Sequence, residues 1–154
     1  MSLISWSRRG KLSLVFLLLF IQGCEKERNC GAVEYKKKVI HINGYELNVE
    51  VAESIVALSC GLSKREALAS NSGMLFVFDK PGNHAFWMKG VSIPLSVAFV
   101  DVNKRIINTH NMDTSSLTKY YPQGNALYAI EANWGWFDER GIKAGDSVVF
   151  SLNH

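Results

Sequence analysis

Val39-Ile-His-Ile42, Asn43-Gly44 and Tyr45-Glu-Leu-Asn-Val-Glu-Val51 form a single unit of sequence. Asn-Gly between strand-forming residues is the favoured two-residue hairpin turn, because both central positions need a positive φ that Gly, and after it Asn, adopts at little steric cost. Leu47, Val49 and Val51 alternate with Asn48 and Glu50, so one face of the second strand goes inward and the other meets water. An antiparallel hairpin thus opens the folded body at Val39.

Downstream the apolar period changes between residues 52 and 69. Ser54 is placed to cap Ile55-Val-Ala-Leu58, Gly61 interrupts, and Ser63-Lys-Arg-Glu66 spells a capping box before Ala67-Leu-Ala69. Two short helical pieces are expected, each too short to persist unless packed on a sheet. Met74-Leu-Phe-Val-Phe78 suits a buried strand, closed by the turn residues Asp79-Lys-Pro-Gly82. Further strands are expected at Ala85-Phe-Trp-Met88, Leu95-Ser-Val-Ala-Phe-Val100, Arg105-Ile-Ile-Asn-Thr-His110, Leu127-Tyr-Ala-Ile130 and Ser147-Val-Val-Phe-Ser151. Residues 111–125 read as a long exposed loop bearing Tyr120 and Tyr121, and residues 134–140 as a short helix ended by Gly141. Many short strands with brief helices define an α+β fold that is mainly β: a small antiparallel-rich barrel or rolled sheet with two or three short peripheral helices.

Upstream of the hairpin the chain has a different character. Arg8, Arg9 and Lys11 precede an apolar run from Leu12 to Ile21, followed by Gln22-Gly23-Cys24. Ten helical residues span about 15 Å, half of a hydrocarbon core of roughly 30 Å. A basic start, a short apolar stretch and a small residue before the break describe an export signal over residues 1–23. Ile21-Gln-Gly-Cys24 further resembles a bacterial lipoprotein box, in which Cys24 becomes the acylated first residue. An uncleaved membrane segment and plain secretion are the alternatives, and all three put the body outside the cytoplasm. Glu25 in the position after the cysteine favours the periplasmic face of the outer membrane if the host is Gram-negative. Residues 24–38, polar and charge-rich, read as a flexible tether, and residues 39–154 as a single domain.

With 154 residues and 47% of them apolar, the chain can bury a core, and a disordered polymer is excluded. The net charge of +3 comes entirely from the three cations before Leu12; the remainder carries 14 basic and 14 acidic residues. A neutral body gives no reason to expect a nucleic-acid partner.

Gly61-Leu62, Gly73-Met-Leu-Phe76, Phe86-Trp-Met-Lys89 and Ile93-Pro-Leu95, with Phe99-Val-Asp101, Ala129-Ile-Glu131, Asn133, Gly135, Gly141-Ile142 and Gly145-Asp146, resemble in order and spacing the family numbered 192 among domains of unknown function. The likeness runs from about Leu47 to Phe150. It implies a single β-rich domain of small secreted or lipid-anchored proteins, and no established biochemical activity. This chain has Ser96 where the family usually has aspartate after Pro-Leu, so catalysis or metal binding through that position is doubtful here.

Candidate chemistry is sparse. The four histidines are far apart and the aspartates form no calcium-loop pattern, so neither a metal nor another cofactor is expected. Asp79, His84 and Glu131 are the weak candidates for a catalytic group, if the fold gathers them around one cleft with Trp87. Cys60 as a nucleophile lacks any recognisable partner. With Cys24 acylated, Cys30 and Cys60 remain to pair or to stay apart; paired, they would close a loop worth about 3–4 kcal/mol. Strand alternation sends Phe86 and Met88 to one face, filling the barrel, and Trp87 and Lys89 to the other. Trp87 with Lys89 or Arg65 would then receive an anionic or saccharide-like ligand. These features suit a non-catalytic binding or accessory module at the envelope, contacting an envelope protein or saccharide. A small hydrolase or transferase acting on an envelope polymer, and a purely structural lipoprotein, are the other readings.

Overall fold

The computed structural model describes residues 30–152. The expected export signal over residues 1–23 and the expected acylation at Cys24 lie outside the described residues. A 3₁₀ turn, Cys30–Ala32, leads into β1 (Lys36–Ile42), β2 (Tyr45–Ala52), the helix α1 (Ile55–Cys60), β3 (Ser72–Gly82), β4 (Leu95–Val100), β5 (Ile106–Met112), β6 (Ala126–Asn133), a second 3₁₀ turn (Asp138–Arg140) and β7 (Val148–Val149). The hairpin β1–β2 turns on Asn43 and Gly44, at φ of 51° and 84°. Its first strand begins at Lys36, three residues before the apolar pattern starts, because Lys36 to Lys38 pair with Val51 to Val49 across the ladder.

One seven-stranded sheet has the order β5-β4-β6-β3-β2-β1-β7. Every pairing is antiparallel except β2–β3, which α1 connects as a crossover. The sheet curls until its edges meet: Arg105, just before β5, bridges Ser147, just before β7. At this closure Ile106 N–H donates to the Asp146 carbonyl at 2.9 Å, the Ile106 carbonyl accepts from Gly145 N–H at 2.8 Å, and Val148 N–H donates to the Lys104 carbonyl at 2.9 Å.

Strand alternation then sorts the apolar side chains into two layers. Ile40, Ile42, Leu47, Val49, Leu75, Ala98, Ile130 and Val148 face the inside of the curl, which Trp136 and Phe137 also fill. Met74, Phe76, Leu95, Val97, Phe99 and Ala129 face outward and are roofed by Ala57, Leu62, Met88 and Ile93. Phe86 and Met88 therefore belong to the roof on the outer face, and the expectation that they fill the barrel is corrected. Their residue alternation is as expected, but the inside is already filled by the strands' own branched side chains.

Two further corrections are local. The capping box at Ser63–Glu66 starts no helix: Ser63 Oγ donates backward to the Cys60 carbonyl, and Lys64 adopts a positive φ of 62° that no α-helix continues. Residues 79–82 do not end β3 but prolong it, and past an irregularity Gly82 pairs with Ala126.

Candidate functional site

The segment between β3 and β4 crosses the outer face and is fastened by a backbone pair to the β5–β6 loop. Phe86 N–H donates to the Tyr120 carbonyl at 2.9 Å, and Tyr120 N–H returns a bond to the Phe86 carbonyl at 2.8 Å. Beneath it the Phe86 ring meets Phe76 edge-on at 4.9 Å and Phe99 at 5.5 Å, so the segment is anchored by aromatic packing. Trp87 is the next residue, and alternation turns it outward, 46% exposed. Antiparallel pairing of Phe86 with Tyr120 sets Lys119 beside Trp87. The Lys119 ammonium lies 5.5 Å from a Trp87 ring centroid and that of Lys89 lies 5.3 Å away. One exposed indole thus has two cations close to its ring, from segments thirty residues apart.

Lys119 is the member of this patch that sequence reasoning missed. Nothing in its own neighbourhood marks it; only the Phe86–Tyr120 bridge, a tertiary contact, brings it to Trp87. The same contact accounts for the loop's order. Asn108, buried on β5, donates from Nδ2 to the Tyr121 carbonyl at 3.2 Å and accepts at Oδ1 from Gln123 N–H at 2.9 Å.

Arg65 is elsewhere. It makes an ion pair with Glu50 on β2 and stands 6.0 Å over the Tyr35 ring. Burial pushes the Tyr35 hydroxyl pKa up, against the lowering field of the Arg65 cation. With Lys37, Asn48, Glu50, Leu68 and Ser72, Arg65 lines an open groove of about 530 Å³ on the outer face of β1 and β2. Neither Trp87 nor Lys89 lines it, so the structure joins Trp87 to Lys89 and separates both from the Arg65 groove.

Asp79, His84 and Glu131 are not gathered around one cleft. Asp79 is exposed on β3, five residues along from Met74, the partner of Glu131. Five strand residues span about 16 Å. His84 is stacked on Phe78 with centroids 3.8 Å apart and bonds through Nε2 to the Lys80 carbonyl at 2.9 Å. Glu131 alone is buried, 5% exposed, between Met74 on β3 and Val97 on β4. Gly61, at φ 50°, passes over it so closely that a Cβ there would stand 3.3 Å from Phe76 and 3.9 Å from the carboxylate. Among the described residues no group donates to that carboxylate, and desolvation raises its pKa from 4.5 to about 8.

Ser96 is structural. Its Oγ accepts from the Gly135 N–H at 2.8 Å and donates to Asn111, whose Nδ2 in turn donates to Asp138 at 2.7 Å. The hydroxyl supplies an acceptor for the turn that follows β6. Cys60 is bonded to Cys30, S–S 2.05 Å, and is no free thiol. Among the described residues no three His, Cys, Asp or Glu side chains stand together as a metal would require.

These elements define a small, curled, mainly-β domain with a roofed outer face and an exposed Trp–Lys patch. The chain belongs to the family numbered 192 among domains of unknown function, described as "Uncharacterized ACR", whose model matches residues 38–150. Two solved structures are similar to it. One is a protein of unknown function from Novosphingobium aromaticivorans, 27% identical with a TM-score of 0.73, over 77% of this chain and 89% of that one. The other, from Sinorhizobium meliloti and named as a candidate transcription regulator, is 27% identical with a TM-score of 0.72, over 76% of this chain and 95% of that one. No curated protein matches the chain.

Proposed function

We propose that this protein is an envelope lipoprotein, exported and acylated at Cys24, that binds an anionic saccharide-like envelope component without chemical turnover. The observation that carries the reading is Trp87, exposed between Lys89 and Lys119 on a rigidly pinned segment. An indole face stacks on the C–H face of a sugar ring, and two flanking ammonium groups hold carboxylate or phosphate substituents. Pre-organisation supports the same reading: the backbone pair to Tyr120 and the Phe86 anchor fix the indole before any ligand arrives, which lowers the entropic cost of binding. The dispersed positions of Asp79, His84 and Glu131 count against a hydrolase or transferase acting through them. The name of the Sinorhizobium relative gives a nucleic-acid reading little support here, since the body carries no excess of positive charge.

The test is an isothermal titration calorimetry measurement of the mature chain with soluble peptidoglycan fragments, comparing wild type with Trp87→Ala and with Lys89→Ala/Lys119→Ala. Saturable binding by the wild type, lost in both variants while their thermal midpoints stay unchanged, is expected. Variants that bind as the wild type does would overturn the assignment of this patch. A Trp87→Ala variant that only melts earlier would favour the purely structural reading.

A further inference from the structure

We infer that the face of α1 carrying Ile55 and Val56 lies on the membrane surface, among anionic lipid headgroups. The inference rests on the acylation of Cys24 proposed above. Ile55 is 84% exposed, the most exposed large apolar side chain among the described residues, and its neighbour Val56 is also exposed. Cys60, at the other end of the same helix, is covalently bonded to Cys30. Only five residues separate Cys30 from Cys24. Six extended residue steps reach at most about 20 Å, so an acyl group on Cys24 holds the Cys30–Cys60 bond within that distance of the bilayer. The six residues of α1 add only about 8 Å more.

The surroundings of the bond fit an anionic surface. Lys64 and Arg65 line the same shallow hollow as Cys30, Gly31 and Tyr35, which puts cations where the anchored segment leaves the body. Arg65 is already paired with Glu50, which leaves Lys64 as the cation offered to lipid phosphates, while the apolar pair on α1 enters the headgroup boundary. The disulfide converts a loosely tethered body into an oriented one.

A bromolipid quenching experiment tests this on the acylated full chain reconstituted in phosphatidylethanolamine/phosphatidylglycerol vesicles with brominated acyl chains. Ile55→Trp is compared with Val149→Trp and with the wild type, whose own tryptophans set the background. Val149 is an exposed control: it pairs with His41 and hence lies level with Glu46, six residues and about 20 Å along β2 from the end that leads into α1. Most of the emission added at position 55 is expected to be quenched, and little of that added at 149. Equal quenching at both positions, or none at 55, overturns the orientation. Intact mass and vesicle flotation, measured on the same preparations, separate the two levels. An acylated, floating protein that is unquenched at 55 sinks the orientation and leaves the anchor standing, whereas a protein without acyl chains removes both.

Discussion

Glu131 is the residue whose chemistry is furthest from ordinary. Every fully occluded side-chain nitrogen or oxygen among the described residues has a hydrogen-bond partner, so the Glu131 oxygens, which have none, sit at the rim of the covered layer. Between pH 4.5 and about 8 the folded protein holds a proton there that the unfolded chain has released. Stability is therefore full below 4.5, falls as pH rises, and has lost its whole increment above about 8, on the order of 5 kcal/mol. Glu131→Gln, neutral throughout, is expected to flatten this part of the pH dependence and to melt later than wild type at pH ~8 while matching it at pH ~5. Thermal melts across that range decide it; an unchanged slope would mean that the carboxylate is solvated. At this scale the sequence was partly legible. Trp87 and Lys89 share an outward face by alternation alone, whereas the isolation of Glu131 depends on Gly61 passing over it, 70 positions away in the chain, and carries no local signature.

Among the elements, α1 bears the most consequence. It is a six-residue crossover between two parallel strands, capped by Ser54 accepting from Ala57 N–H at 3.2 Å, and too short to hold itself. The bond from Cys60 to Cys30 fixes it and orders the residues ahead of β1, where Val33 and Tyr35 pack on the outer layer. Replacing both cysteines by serine is expected to cost about 2–4 kcal/mol, and reductant should reproduce the loss in the wild type. Chemical denaturation with and without dithiothreitol measures it; coincident curves would refute the contribution. The strands were the most legible elements, since β2, β4 and β6 follow their alternating or apolar runs closely. The second helical piece was misread because a capping box is a local preference, and Ser63 finds a nearer acceptor in the turn after α1. The 85–88 run forms only an isolated bridge because its backbone partner, Tyr120, lies in the β5–β6 loop, while it meets β3 and β4 through side chains alone.

For the molecule as a whole, the decisive feature is how the curl closes. β7 has two residues, yet it pairs with β1 and lies beside the residues leading into β5, while Val148 and Phe150 plug the inside. Lys104 braces the arrangement, donating to the Phe150 carbonyl at 2.7 Å and lying 4.4 Å over its ring. A chain stopped after Gly145 is expected to keep its far-ultraviolet dichroism but lose near-ultraviolet fine structure and cooperative melting, because the interior opens along one side. Retention of a sharp transition would show that six strands suffice. A rolled β sheet was visible in the sequence from strand lengths and the Asn-Gly hairpin. Its two-layer arrangement was not, since identical apolar runs serve the interior and the roof and only the direction of curl distinguishes them.

β7 is also the last strand to be made. Synthesis proceeds amino end first and delivers β1 through β6 before the piece that zips the seam, so His41 must wait for Val149, roughly a hundred positions later. Until then the interior stays unsealed. The interval before β7 docks is the step at which this protein is most open to capture by chaperones and proteases.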